Sequence, residues 1–404
     1  MPDNRLRRLL RHRSLMSFWV ARVGATTGAQ MLMVAVGWQI YDLTHSAWDL
    51  GLVGLFQFLP ALLLTLPAGH VADRLPRTRI IAACLLAQAT AGTVLTFATF
   101  AGAVTPQLIF AISIVLGVCR AFQMPAQQAL LPLLVEPELV APAIALAASG
   151  MQTAIICGPA LGGLIYMAGP GQVYGTCAVI FALAFALMAS VRARQHPVPG
   201  ASNLKEVFAG VDFLWRNKIL LGATTLDLFA VLLGGATALL PMFARDLLHV
   251  GPQGLGFLRA APAAGALLMS LVLLRWPVDR HAGRWLLASV AVYGAATLAF
   301  GASTHYWLSM TALAITGAAD NISVVIRQTL VQLETPDAIR GRVSAVNSIF
   351  IGASNQLGEF ESGATAAWLG PVGSVLLGGA GTIMIALVWR RAFPLLARRD
   401  RLVS

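Results

Sequence analysis

GHVADRLPRTR, residues 69–79, is a short charged stretch between two long apolar runs, and it decides the fold of this chain. A similar stretch, DRHAGR at 279–284, follows an apolar run in the second half of the sequence. A second pair of segments agrees with the first, because QALL at 128–131 is echoed by QTLV at 328–331. Each pair follows the same ordinal apolar run in its half, so the sequence predicts a parallel internal repeat.

The composition predicts a protein surrounded by lipid. Of the 404 residues, 57% are hydrophobic and 11% are charged, whereas a soluble domain carries about 25% charged residues. A membrane span needs about 20 mainly apolar residues, so twelve spans nearly fill this length. A net charge of +11 is also found in nucleic-acid binding proteins, but here the basic residues are scattered over short loops. That pattern is typical of a membrane protein and predicts no nucleic-acid partner.

Twelve apolar runs predict an all-α integral membrane protein built as two pseudo-symmetric six-helix bundles, residues 1–191 and 219–404. The predicted spans of the first bundle are 15–43, 47–71, 79–102, 106–131, 142–168 and 172–191. Those of the second bundle are 219–245, 251–275, 285–302, 305–330, 343–368 and 371–391. Between the bundles, a cytoplasmic linker at 192–218 begins with prolines and ends in a predicted amphipathic helix.

The basic residues predict the orientation. With the N-terminus in the cytoplasm, the predicted cytoplasmic segments hold 23 of the 28 Lys and Arg residues. The other five lie within spans or at their ends, so the opposite loops carry almost none. We therefore predict that both termini of this multi-pass protein are in the cytoplasm. We also expect a monomer in a bacterial inner membrane.

The motif at 69–79 resembles the loop 2–3 signature of the major facilitator superfamily (MFS), although Pro76 stands where that family usually has Gly. The resemblance covers the whole chain and implies the MFS fold. It also implies a conformational latch, in which acids and arginines join the two halves on the cytoplasmic side in one state. The latch residues in this sequence are Gly69, Asp73, Arg74, Arg77, Asp279 and Arg280. The alternative is a solvated turn whose arginines only set the orientation.

A second motif, Arg120-Ala-Phe-Gln123, is similar to an MFS pattern associated with proton coupling. An arginine within a span normally faces a bundle interior or a water-filled cavity. The resemblance implies that Arg120 modulates a nearby proton site, although Met124 replaces the usual glycine. The alternative is a structural partner of a carbonyl or an acid.

A third motif lies in the fifth predicted span and consists of Gly158, Pro159, Gly162 and Gly163. It resembles a motif found mainly in MFS exporters and antiporters. Small residues permit close helix approach, and proline removes one backbone hydrogen bond and allows bending. Ordinary close packing would require the same residues, and the two interpretations are compatible.

Within the MFS, the chain resembles the branch of bacterial enterobactin exporters. The segments that carry this resemblance are Ala21-Arg22, THSAW at 44–48 and QLETPDAIRGR at 332–342. It implies export of a siderophore, but the same branch contains many exporters whose cargo is unknown.

Acidic residues inside spans are candidate proton carriers, because burial favours the neutral form and lets the group cycle between two charge states. Asp227 and Glu359 are the main candidates, with Glu361 and Asp320 next. Asp320 is also a candidate partner of Arg327 in a charge pair. Glu359 and Glu361 are two residues apart and point to different sides of a helix.

Polar and aromatic residues within spans predict an amphipathic cavity for the cargo. The candidates are Arg22, Gln30, Trp38, Gln57, Gln152, Asn347 and Asn355. Arg22 would attract an anionic cargo, and the alternative is that its long side chain reaches the nearby interface.

The leading functional prediction is a secondary exporter of a small amphipathic molecule, driven by protons that move the other way. The sequence has no P-loop, HExxH or GxSxG motif and no metal-ligand spacing, so we predict no ATP, cofactor, metal or enzymatic activity. The alternatives are an importer or uniporter and, more remotely, a membrane sensor or scaffold with a transporter fold.

Overall fold

The computed structural model describes residue 9 and residues 11–192, 211–278, 280–336 and 339–400. Within these residues the secondary structure is helical, apart from turns and short connections. We number the long helices in chain order: α1 Arg13–Thr44, α2 Ala47–Arg74, α3 Arg77–Phe100, α4 Pro106–Leu130, α5 Val140–Tyr166, α6 Pro170–Ala189, α7 Lys218–Leu233, α8 Pro252–Arg275, α9 Ala282–Ala302, α10 Tyr306–Glu334, α11 340–369 and α12 371–392. The prediction of an all-α membrane fold is confirmed.

Ten helical runs of the described chain are long and apolar enough to cross a membrane. α1 is not among them, and α11 and α12 count together as one run. They are separate helices because Gly370 has a φ of 75°, a left-handed conformation that favours glycine and interrupts the helix. Pro371 then starts α12 with its fixed φ angle, as the predicted spans 343–368 and 371–391 require.

Helix starts follow local sequence signals. The Thr105 side chain accepts a hydrogen bond from the Leu108 backbone N–H at 3.3 Å, and Pro106 occupies the first position of α4. The Asn217 side chain accepts from the backbone N–H groups of Ile219 and Leu220 and begins α7 in the same way.

α7 is shorter than its predicted span, 219–245. The helix ends at Leu233 with Gly234 as its C-cap, and the chain continues through 3-10 and π-helical turns to Leu247. A β-carbon added at Gly235 would meet the carbonyl oxygen of Gly358, so the break allows α11 to approach the backbone here. Two consecutive glycines have a low helix propensity, which explains the early end.

The described chain forms two compact units. Unit 1 comprises Met1–His45, Phe56–Ala201 and Gly251–Ala260, and unit 2 comprises Ser46–Leu55, Ser202–Val250 and Ala261–Ser404. Each unit therefore contains a segment from the opposite half of the sequence. The predicted bundles, residues 1–191 and 219–404, did not include this exchange of segments. In unit 1, α1 packs on α5 and α6, and α3 packs on α4 and α6. In unit 2, α9 packs on α10 and on the α11–α12 segment. That segment also packs on α7.

A close contact at glycine explains why residues 46–55 belong to unit 2. A β-carbon added at Gly51 would lie 3.2 Å from the Gly363 Cα atom, so the first turns of α2 touch the backbone of α11. Beside this contact, Trp48 meets Phe360 edge-on, with ring centroids 5.5 Å apart.

Only part of the predicted linker helix falls within the described residues. Residues 211–216 are helical, and Leu214 is buried in the apolar core of unit 2. Trp215 is 66% exposed, and Arg216 pairs with Asp212 at 3.0 Å on the surface. The rest of the linker, 193–210, lies outside the described residues.

Candidate functional site

A buried ion pair joins α7 and α10 in unit 2. The Asp227 carboxylate binds the guanidinium of Arg327, and their side chains are 7% and 1% exposed. Burying an ion pair costs several kcal/mol of desolvation per ion before the attraction offsets it. From its sequence position, Asp320 was a candidate partner of Arg327. In the structure the ion-pair partner of Arg327 is Asp227, from a distant part of the chain.

Asp320 lies in the same cluster. Asp227 and Asp320 line one cavity of about 10 Å³ together with Ser289, Tyr293 and Ser323, which is room for about one water molecule. No described residue forms an ion pair with Asp320. Its neighbour Asp227, in contrast, is paired with Arg327. We call these five residues and Arg327 the acid cluster. It contains two carboxylates and one guanidinium, so its net charge is −1 when both acids are ionised.

Asp320 lies at the middle of its helix. Asp320 is 14 residues from Tyr306 and 14 residues from Glu334, the two ends of α10. At 1.5 Å per residue it is about 21 Å from either end. Asp320 is therefore at the midpoint of α10, far from both of its ends.

Arg22 is a second interior charge, in α1 of unit 1. Its side chain is half-buried, and its Nε atom is buried without a hydrogen-bond partner. No described acidic residue forms an ion pair with it. A guanidinium in this position is a ready site for an anion, because pairing would remove the cost of its desolvation.

The other polar candidates of unit 1 do not form one hydrogen-bonded cluster. Gln57 is buried, and its amide nitrogen has no hydrogen-bond partner. Trp38 is half-buried and meets Tyr166 edge-on at 6.4 Å between ring centroids. Gln30 packs against the face of α5 that contains Gly158, and Gln152 is half-buried on that helix.

Asn347 and Asn355 belong to unit 2 and differ in environment. Asn347 is buried, and its amide oxygen has no hydrogen-bond partner. Asn355 is exposed and donates to the carbonyl of Ile351 in its own helix at 3.0 Å. Of these two asparagines, only Asn347 has a buried polar atom without a hydrogen-bond partner.

Glu359 and Glu361 are away from the cavity that Asp320 lines. A β-carbon added at Gly54 would lie 3.0 Å from the Glu359 Oε2 atom, so this acid covers the start of α2. Glu361 is half-buried, and its backbone carbonyl accepts a hydrogen bond from Thr365 at 2.9 Å. The two glutamates point to different surroundings, as their spacing predicts.

The Arg120 motif is divided between surface and interior. The Arg120 side chain is exposed on α4, whereas Gln123 is buried. The Gln123 side-chain oxygen accepts a hydrogen bond from the Gln88 amide of α3 at 3.1 Å. In this structure the motif therefore joins α4 to α3 through its glutamine, and Arg120 is not part of the acid cluster.

The motif in α5 makes close backbone contacts on two sides. A β-carbon at Gly158 would lie 2.6 Å from the Gln30 Cβ atom, and one at Gly162 would lie 2.8 Å from the Met31 Cα atom. A β-carbon at Gly163 would lie 3.0 Å from Gln253 Cα, at the start of α8. These residues thus have the close-packing role that the sequence allows.

The predicted latch is only partly described. Arg77 donates to the carbonyl of Ala129 at 3.2 Å, Gly69 is half-buried, and Arg74 and Arg280 are exposed. The side chain of Asp73 and the whole of Asp279 lie outside the described residues. The latch therefore stays a prediction.

Sequence reasoning missed the neutral members of the acid cluster. Ser289 and Tyr293 are four residues apart on α9, and Ser323 follows Asp320 by three residues on α10. These spacings place side chains on one helix face. Polar residues three or four positions apart in otherwise apolar spans could have predicted these members of the cluster.

Two compact helical units and long apolar helices with buried charged groups are the architecture of a major facilitator transporter. The comparisons agree at the level of family and fold. A family model described as "Transmembrane secretion effector" matches residues 8–401, so the chain belongs to this family of the MFS. It is a membrane transporter, and the prediction that it is not an enzyme is confirmed by its family.

Curated relatives cover nearly the whole chain. The chain is 26% identical over 383 residues to an enterobactin exporter of Citrobacter koseri, which covers 93% of this chain and 91% of that protein. It is 25% identical over the same length to the enterobactin exporter of an Escherichia coli O1:K1 strain, again over 93% and 91%.

Solved structures confirm the fold. A bacterial homologue of the human lysosomal transporter Spinster, in an inward-facing and unoccupied conformation, matches with a TM-score of 0.73 and 15% identity over 96% of this chain and 97% of that one. The nucleoside transporter NupG matches with a TM-score of 0.72 and 14% identity over 94% and 99%. At such identities the likeness shows the fold alone.

Proposed function

We propose that this transporter is a proton-coupled exporter of a small, amphipathic, anionic molecule such as a siderophore, working as a monomer by alternating access in a bacterial inner membrane. The observation that carries the coupling is the acid cluster, in which an acid without an ion pair lies beside a buried ion pair. Export is supported by the likeness to enterobactin exporters over 93% of the chain.

Asp320 is the proposed proton carrier. The guanidinium of Arg327 is already paired with the carboxylate of Asp227. Asp320 shares the cavity but not the ion pair, so a proton there reduces the cluster from a net charge of −1 to 0. Tyr293 of α9 also lines the cavity, and its hydroxyl donates to the carbonyl of Gly234 at 3.0 Å.

Arg22 is the proposed contact for the cargo. Its buried Nε atom has no hydrogen-bond partner, and hydrogen bonds between ionised groups are about twice as strong as neutral ones. A catecholate or carboxylate group would supply the missing acceptor. Replacing Arg22 by Gln is expected to raise KM for an anionic cargo with a smaller effect on kcat. Arg11→Gln, a change of an exposed arginine just before α1, is the matched control.

Transport in inside-out vesicles tests the direction and the coupling together. With the vesicle interior acidified, we expect uptake of enterobactin or another anionic siderophore and a matching efflux of protons. Uptake without linked proton movement would contradict coupling, and uptake only in right-side-out vesicles would contradict export.

Asp320→Asn tests the carrier itself. The amide keeps the shape but cannot release a proton, so accumulation driven by the pH gradient should be lost while cargo exchange at equal pH persists. Glu138→Gln, an acid exposed after α4, is the control and should behave as the wild type. If Asp320→Asn still concentrates cargo, the carrier lies elsewhere, with Glu359 next.

A further inference from the structure

Two glycines bring α8 and α10 into backbone contact. A β-carbon added at Gly265 would meet the carbonyl oxygen of Ala314, and one at Gly317 would meet the carbonyl oxygen of Pro262. Only glycine fits at such a crossing, so this contact fixes where the two helices are closest.

One turn further along α8, an apolar groove opens between α8, α9 and α10. Its volume is about 210 Å³. The side chains that define it are Met269, Trp285, Ala288, Val292, Ile315 and Ile322. Ser289 is also part of the wall, but its hydroxyl already donates to the Leu286 carbonyl at 2.9 Å. The groove thus offers dispersion contacts and almost no hydrogen bonds, which suits a hydrocarbon chain.

A basic residue lies at the end of this groove. Arg284, Ala288 and Val292 are spaced four residues apart and are all exposed, so they share one face of α9. Arg284 is one turn from Ala288, towards the start of the helix, and no described acidic residue forms an ion pair with it. Arg275 is exposed at the neighbouring end of α8.

Two exposed tryptophans are adjacent in sequence to Arg275 and Arg284. Trp276 and Trp285 are 69% and 50% exposed, and exposed tryptophans of membrane proteins concentrate at the headgroup region. A molecule that fills the groove and reaches Arg284 is therefore apolar at membrane depth and negatively charged at the interface.

We propose that this groove binds one acyl chain of an anionic phospholipid, with the lipid phosphate at Arg284. The lipid comes from the leaflet at the start of α9. Charge complementarity identifies the headgroup, and the apolar lining identifies the chain. Ser289 and Ala319 belong to the walls of both the groove and the acid cavity, so a bound chain supports the wall behind Asp320. The inference does not depend on the proposed proton coupling.

Native mass spectrometry of the purified full-length protein, titrated with phosphatidylglycerol or phosphatidylcholine, tests the proposal. The wild type should bind the first phosphatidylglycerol about fivefold more tightly than phosphatidylcholine, the preference expected from one basic contact at the interface. Arg284→Gln should remove that preference. Equal binding of the two lipids by the wild type would overturn the charge assignment.

Ala288→Phe should fill the groove and weaken binding of both lipids by about tenfold or more, since each methylene kept out of an apolar site costs severalfold in affinity. Ala295→Phe is the matched control, because Ala295 is exposed on α9 one turn beyond Val292 and does not line the groove. Ala288→Leu, a smaller change, is measured alongside. If the variants at 288 and 295 bind lipid equally, the groove is not the lipid site.

Discussion

Replacing Asp227 by Asn leaves the Arg327 guanidinium, 1% exposed, without its carboxylate partner. Both groups are almost fully removed from bulk solvent, so salt screens their attraction much less than that of a surface pair. Removing one partner of a buried ion pair costs about 3–5 kcal/mol, because the other charge stays buried and uncompensated. Asp227→Asn keeps one side-chain oxygen as an acceptor, so we expect a loss of about 3 kcal/mol in the free energy of unfolding. Arg327→Gln leaves two neighbouring carboxylates without a cation, and we expect about 5 kcal/mol.

The double variant separates pairing from packing. Asp227→Asn combined with Arg327→Gln leaves no unpaired charge at these two positions, because both new side chains are neutral. The two amides can also hydrogen-bond to each other. The loss in the double variant should therefore be smaller than that in either single variant, about 2 kcal/mol or less. The corresponding coupling energy is about 6 kcal/mol, above the 0.5–3 kcal/mol usual for neighbouring residues, because each single variant leaves a buried charge uncompensated. Unfolding in mixed micelles, followed by tryptophan fluorescence, measures all three variants.

Asp212→Asn is the control for this cycle. Its ion pair with Arg216 has the same chemistry, but the side chains are 61% and 79% exposed. Exposed pairs contribute little, so the expected change is below about 0.5 kcal/mol. Losses that simply add in the double variant at positions 227 and 327 would refute the reasoning, because the two charges would then be independent.

Three further outcomes are expected. In a background without native cysteines, Pro170→Cys should react with an impermeant thiol reagent from outside the cell and Gly200→Cys should not; the reverse labelling would overturn the predicted orientation. Asp73→Asn should slow transport with little effect on expression or cargo binding, because it removes a charge contact made in one state; an unchanged rate would reduce Asp73 to a solvated acid. Gly317→Ala should destabilise unit 2, since its β-carbon would meet the backbone of α8, whereas Gly352→Ala, which has open space around it, should be neutral or stabilising by up to about 1 kcal/mol. Equal unfolding midpoints for the two alanine variants would contradict the proposed crossing.

Local signals in the sequence were sufficient for most of the fold. Apolar runs, the positions of glycine and proline, and the break at Gly370 each act over a few residues. The spans that they predicted agree with the long helices except where the chain deviates from regular helix, as after Gly234. The glycines of α5 were also recognisable, because small residues at short spacing permit contact with any partner helix.

Pairing between distant helices could not be predicted in the same way. Arg327 is seven residues from Asp320 on α10, two turns along one face, so Asp320 was a reasonable partner from sequence alone. Asp227 is 100 residues away and reaches Arg327 only because α7 and α10 pack in the same unit. The groove beside α9 has the same origin, since its position depends on the crossing of Gly265 with the backbone of α10.

Under the proposed coupling, the two acids of the acid cluster have different roles. Asp227 and Arg327 form a buried ion pair and act together as a fixed neutral unit. Asp320 is then the member whose charge changes, and it is about 21 Å from each end of α10. At that depth an ionised carboxylate without a partner is costly, and a proton removes this cost. Release of the proton therefore requires that water or a cation reach the cavity, which alternating access supplies from one side at a time. The coupling would thus depend on the single acid that the ion pair leaves out.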